Sequence, residues 1–203
     1  MRAVLPVLLP ALLGAMPVGA ECLGARDLGR GVLVSYDNGD EVRLQRTADG
    51  AVTVDETYAD GSVPMRLHAA RGIYYFEEYM LDEAGRRLDG TGLRVEFPSD
   101  PRSLPEPAAG LVWEGETVNV FPDGSERRET VRVRFEEGAP LVLSGCTYAV
   151  LDTAIRYDWG KDGGLTLRYA YLPELGAGLV LTSQFDGGEV NAKTPVALTR
   201  AGK

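Results

Sequence analysis

Three turn pairs, Asn38-Gly39, Asp49-Gly50 and Asp60-Gly61, stand eleven residues apart, and this even spacing constrains the fold more than any other feature of the chain. Asn-Gly and Asp-Gly supply the positive backbone angles that tight hairpins demand. Equal intervals between turns imply strands of similar length. The intervening segments Val42-Arg43-Leu44-Gln45 and Val52-Thr53-Val54-Asp55 alternate apolar with polar residues. That period of two buries one face of a strand and wets the other. The pattern predicts an antiparallel meander.

The same pattern returns in the second half, where Trp113 to Phe121 leads through Pro122-Asp123-Gly124 into Thr130 to Phe135. Further strands are expected at Leu141 to Tyr148, Ala154 to Trp159, Leu165 to Tyr171, Leu179 to Phe185 and Thr194 to Thr199, with turns at Glu137-Gly138, Asp162-Gly163-Gly164 and Asp186-Gly187-Gly188. Tyr169 to Gly176 reads as a strand running into a tight corner. No segment carries a sustained helical stripe; Met65 to Ala70 fits one helical turn or, through Met65, Leu67 and Ala69, an alternating strand. About ten such strands must curl to protect their edges. The expected fold class is therefore all-β, an antiparallel meander curled into a barrel, half-barrel or sandwich. Four prolines between Pro98 and Pro107 bar both helix and interior strand. This Pro-rich stretch at about 98–107 is either a surface loop of a single all-β domain, 21–203, or a linker between two packed halves, 21–97 and 111–203.

Residues 1–20, MRAVLPVLLPALLGAMPVGA, form an Arg-tipped apolar run too short and too proline-broken to span a bilayer. Val18 and Ala20 give the small-residue pattern of a signal-peptidase site, so a signal peptide cleaved after Ala20 is expected. Lipidation of Cys22 is the alternative, and Glu21 stands where a small residue is required. No later run is long and apolar enough for a membrane span. The expected location is the periplasm.

Two cysteines, Cys22 and Cys146, remain in a compartment where disulfides persist, and pairing them is the economical reading. The competing reading is a reactive thiol, which lacks an obvious base because His68 is the sole histidine. Removing the signal peptide takes away only Arg2, shifting the net charge from −9 to −10 (20 Lys+Arg against 30 Asp+Glu). This acidity argues against nucleic acid as a partner. With 44% hydrophobic residues, the chain can bury a core of real size.

Catalytic motifs are missing. Ser144-Gly145-Cys146 lacks a nucleophile elbow, and no Gly-rich phosphate cradle or zinc spacing occurs, so no cofactor and no metal are expected. Asp158 to Gly163 places acids at the first and fifth positions of a calcium-loop pattern with glycine at the sixth. Gly160 then stands at a ligand position and Tyr169 where the closing Glu belongs, so an ordinary turn is expected. The cluster Tyr74-Tyr75-Phe76-Glu77-Glu78-Tyr79, read as a strand, puts Tyr75, Glu77 and Tyr79 on one face and Tyr74, Phe76 and Glu78 on the other. A curled sheet either fills its interior or leaves a cavity. Tyr75, Tyr79, Trp113 and Trp159 are the rings expected near such an opening, each an apolar body with a polar tip. The functional expectation is an exported, non-enzymatic domain that binds a small apolar or amphipathic ligand or an envelope partner. The alternatives are a hydrolase of envelope material using carboxylates such as Glu77, Glu78 or Asp82, and a structural or assembly factor.

Overall fold

The computed structural model describes residues 21–202, so the signal-peptide expectation at 1–20 lies outside the described residues. Strands run β1 Val32–Tyr36, β2 Glu41–Arg46, β3 Val52–Thr57, β4 Met65–Ala70, β5 Tyr74–Met80, β6 Leu93–Glu96 and β7 Val112–Val120. They continue as β8 Glu126–Leu143, β9 Cys146–Asp158, β10 Gly164–Leu172, β11 Ala177–Phe185, β12 Asn191–Ala192 and β13 Pro195–Arg200. Each strand from β1 to β12 pairs antiparallel with its sequence neighbour, and β13 returns to pair with β1. The result is one 13-stranded meander whose edges are β12 and β13. It curls without closing, as a half-barrel or sandwich rather than a barrel.

The edges are managed in two places. Lys193 donates its amide to Leu181 O at 2.9 Å on one side, and Asp37 donates to Thr194 O at 2.9 Å on the other, so two successive residues carry the chain between the edges. At the far end of β13, Ser144 Oγ donates to Leu198 O at 2.8 Å and accepts from Leu198 N at 3.0 Å. The tip of the β8–β9 hairpin thereby occupies backbone groups an exposed edge would offer to another strand.

The evenly spaced turns form as expected, with Gly39, Gly50 and Gly61 at φ 88°, 87° and 80°. Only the glycine of each pair is left-handed. Among the described non-glycine residues, Arg71 and Ser144 alone have positive φ, 54° and 50°. The mirror-image turns that suit two-residue hairpins are therefore Arg71-Gly72 and Ser144-Gly145, which the sequence reading did not single out.

Glu137-Gly138 is not a turn. Strand β8 runs through it for 18 residues, with a register shift against β9 between Gly138 and Leu141. A Cβ on Gly138 would meet Asp152 Oδ1 at 2.7 Å and Val150 Cγ1 at 2.9 Å, so this glycine marks a close approach at a bulge. Leu141 to Tyr148 is accordingly not one strand; it holds the end of β8, the Ser144-Gly145 turn and the start of β9. The face assigned to the tyrosine cluster is corrected for a similar reason. A register shift between His68 and Ala69 leaves Phe76 unpaired. Tyr75 then faces inward, 6.1 Å from the Tyr169 ring, while Glu77 and Tyr79 stay on the outer surface with Arg87.

Turns alternate between two ends of the body. At one end the Cys22–Cys146 disulfide fastens the N-terminal segment to the start of β9. Leu23 N donates to Tyr148 Oη at 3.1 Å beside it. The Pro-rich stretch crosses the same end as a packed loop: Leu104 is buried, and Tyr74 Oη donates to Pro105 O at 3.1 Å. Beneath lie the fully buried side chains of Leu28, Leu44, Ile73, Phe135, Leu143, Leu172 and Leu175. This end is filled.

Candidate ligand site

The other end is open. Leu67 of β4, Leu167 and Tyr169 of β10, and Val180 and Leu181 of β11 wall a cleft of about 400 Å³ between the two halves of the curled sheet. Glu56 of β3, Tyr58, Asp40 and Lys193 form its rim. A bulge shapes the wall: Arg168 opposes Thr182 and Tyr169 opposes Val180, leaving Leu181 unpaired, so consecutive residues 180–183 all reach the cleft.

Asp40 clamps the rim. Its carboxylate accepts from Ala59 N and from Lys193 Nζ, each at 3.1 Å, tying two turns to the segment between β12 and β13. Burial works to raise its pKa, but the Ala59 amide, Asn38 and Lys193 outweigh it and hold the carboxyl below its ordinary value. Lys193 Nζ also lies 4.6 Å from the Tyr36 ring centroid and 5.9 Å from that of Tyr58. Tyr58 Oη donates to Glu56 at 2.6 Å.

Behind the rim the interior becomes polar. Leu67 pairs with Glu78 of β5, and paired residues of antiparallel strands share a face, so Glu78 also points inward. Burial pushes its carboxyl up, and the negative charges of Glu56 and Glu129 push it further. Glu129 of β8, also buried, accepts from Thr117 Oγ1 at 2.9 Å and from Trp159 Nε1 at 2.7 Å. Tyr75 and Tyr157 lie deep enough that burial drives both phenols up, yet both keep partial exposure.

The four rings singled out from sequence do not converge. Tyr75 stands behind Tyr169 at the back of the cleft. Trp159 is held on Glu129 outside the cleft's lining, with the Arg127 guanidinium 4.2 Å over its ring. Tyr79 is on the outside, 3.2 Å from His68 Nε2 and under Arg87. Trp113 packs against Tyr74 and Phe97 at 6.0 and 5.7 Å, toward the filled end. Sequence reasoning missed Glu56, Tyr58, Tyr169 and Lys193. Their only signal was parity, since Glu56 shares its face with Val52 and Val54.

A second hollow of about 310 Å³ lies at the filled end among Arg46, Arg71 and Arg102. Its arginines are largely answered by the protein itself. Arg71 donates to Leu104 O at 3.0 Å and to Arg102 O at 3.1 Å, and it pairs with Glu106. Arg102 pairs with Asp49, whose carboxyl is held at about 2 by the Thr47 hydroxyl and then by Arg102. This network fastens the Pro-rich loop. Asp158 Oδ1 accepts from Gly160 N at 2.8 Å, as an ordinary turn requires. Among the described residues, no group of three or more His, Cys, Asp or Glu side chains could hold a metal ion, and no helix is long and apolar enough to cross a membrane. The chain matches no family model, no curated protein and no solved structure.

Proposed function

We propose that the protein is exported to the periplasm and there holds a small amphipathic ligand in the open-end cleft without transforming it. The observation that carries this reading is the cleft itself: aliphatic and aromatic walls from β4, β10 and β11 under a polar rim, whereas the hollow at the other end is lined mainly by arginines and their carboxylate partners. The Cys22–Cys146 bridge supports a non-reducing compartment. Two experiments test the proposal. Intact mass of the exported protein should place its N-terminus at Glu21, and an uncut or diacylated chain would contradict the export reading. Calorimetric titration with a short octyl amphiphile should give saturable binding that Leu67→Trp, which fills the cleft, abolishes while the fold persists. No binding across octyl amphiphiles of every charge would leave a structural or assembly role.

The hydrolase alternative keeps one observation in its favour, the inward Glu78 with its raised pKa opposite Glu56. Its other carboxylates are engaged on the outside: Glu77 accepts from Arg87 at 2.7 Å, and Asp82 pairs with Arg86 at 2.7 Å. Turnover of envelope glycans that Glu78→Gln abolishes would establish that alternative and overturn simple binding.

A further inference from the structure

We propose that the arginine-lined hollow at the filled end binds a phosphate group, held between the guanidinium groups of Arg46 and Arg71. This site is separate from the open-end cleft and stands whether or not that cleft holds a ligand. The first observation is convergence. Arg46 ends β2, Arg71 sits in the β4–β5 turn and Arg102 lies in the Pro-rich loop, yet all three line one hollow of about 310 Å³ with Tyr171, Gly50 and Gly176. Like charges gathered from three segments repel unless anions stand among them. The protein supplies two in the lining: Glu106 pairs with Arg71, and Asp49 pairs with Arg102. Arg102 also reaches Asp100, outside the lining, at 3.3 Å.

The second observation is that the third arginine is left over. Among the described residues Arg46 makes no side-chain hydrogen bond or ion pair. Its guanidinium still turns toward the hollow, with Nη2 3.4 Å from where a Cβ on Gly176 would stand. Burial raises the Tyr171 phenol to about 12, and the charges of Arg46 and Arg71 both oppose that rise, so both guanidinium groups lie near the same hydroxyl. Arg46 is exposed, and a ligand reaches it without any part of the fold opening.

The third observation is that Arg71 is fixed while its carboxylate partner is not. Arg71 donates to Leu104 O at 3.0 Å and to Arg102 O at 3.1 Å, bonds that hold the guanidinium in place whatever occupies its remaining donors. Glu106 is 71% exposed at its side chain, and an ion pair so open to water is weak enough for a ligand to displace. A carboxylate carries one charge and two oxygens, so Glu106 answers Arg71 alone. A phosphate monoester carries close to two charges on three terminal oxygens near neutral pH, enough to bridge the anchored fork of Arg71 and the unanswered fork of Arg46.

The test follows amide chemical shifts of the full chain as inorganic phosphate or acetate is added at constant ionic strength near neutral pH. Phosphate should shift Arg46, Gly50, Arg71 and Gly176 saturably and bind at least about tenfold tighter than acetate. Arg46→Gln should remove that preference with Tm unchanged, because the Arg46 side chain fastens nothing in the fold. Glu106→Gln, which takes away the competing carboxylate, should tighten phosphate binding, a gain that a purely structural Arg71–Glu106 pair would not give. The exposed control Arg132→Gln should change nothing. Glycerol 3-phosphate and phosphatidylglycerol vesicles separate a soluble phosphate compound from a lipid headgroup, and binding of either that Arg46→Gln abolishes supports the proposal and names the source. Shifts that do not saturate, equal affinity for phosphate and acetate, or binding indifferent to both Arg46→Gln and Glu106→Gln would overturn it.

Discussion

The two ends of this body are built from the same meander, yet one is packed and cross-linked while the other is hollow and polar. At the filled end the disulfide, the Pro-rich loop and the Arg71 network converge on side chains such as Leu28, Phe135 and Leu175, each with no exposed surface. At the open end the inward positions of neighbouring strands carry Glu56, Glu78, Thr117 and Glu129. Along β8 the change happens within one strand: Val131, Val133 and Phe135 are buried apolar residues, and Glu129 continues their face toward the opening. Inward carboxylates oppose stability, and a fold that retains them in one half only is using that half for something else.

The largest effects should come from breaking the filled end. Replacing both Cys22 and Cys146 by serine removes a bridge across 124 residues, worth up to about 4.7 kcal/mol in the chain-entropy model. Phe135→Ala should cost about 3–5 kcal/mol through the cavity it leaves. Both are measurable by urea unfolding. The same truncation at the open end, Leu67→Ala, should fall below about 2 kcal/mol because the side chain is half-exposed. Equal losses at the two ends would break the comparison.

Glycine substitutions sharpen it at the level of the backbone. At the filled end, Gly72 has φ +67°, and a Cβ there would lie 2.3 Å from Gly176 O. Gly72→Ala therefore meets both strain and a backbone clash, and should cost well over about 1 kcal/mol. Gly61 at the open end has φ +80° with open space around it, so Gly61→Ala should cost only the left-handed strain, about 1 kcal/mol. Thermal unfolding of the two variants gives the ordering.

Much of this architecture was legible in the sequence because alternation and Gly-containing turns are local signals. Asn38-Gly39, Asp49-Gly50 and Asp60-Gly61 each turn where expected, and the cysteines pair. Bulges were not legible, since they depend on what the neighbouring strand does. Gly138 reads as a turn in isolation and becomes a close approach only when Asp152 and Val150 stand opposite. Phe76 likewise left no local sign that it would be unpaired, so Tyr75 and Tyr79 were placed on one face. The candidate site was harder still. Its rim joins Asp40 to Lys193, 153 residues apart, and only the return of β13 to β1 brings them together.

Glu78 gives a smaller and more diagnostic effect. Burial raises its pKa in the fold, so its contribution to stability is present below the ordinary carboxylate range and lost as pH rises through the raised folded value. Glu78→Gln should therefore raise Tm relative to the unsubstituted protein near neutral pH and lose that advantage in acid. A Tm difference independent of pH would mean that Glu78 is not held in a desolvated, negative hollow.

The division between the ends is tested most directly by mapping amide chemical-shift changes as an uncharged octyl amphiphile is titrated into uniformly labelled protein. Shifts should concentrate at Glu56, Leu67, Leu167 to Tyr169 and residues 180–183, with the Cys22–Cys146 end silent. Shifts centred instead on Arg46, Arg71 and Gly176, or spread evenly over the sheet, would contradict the assignment of the open end as the binding site.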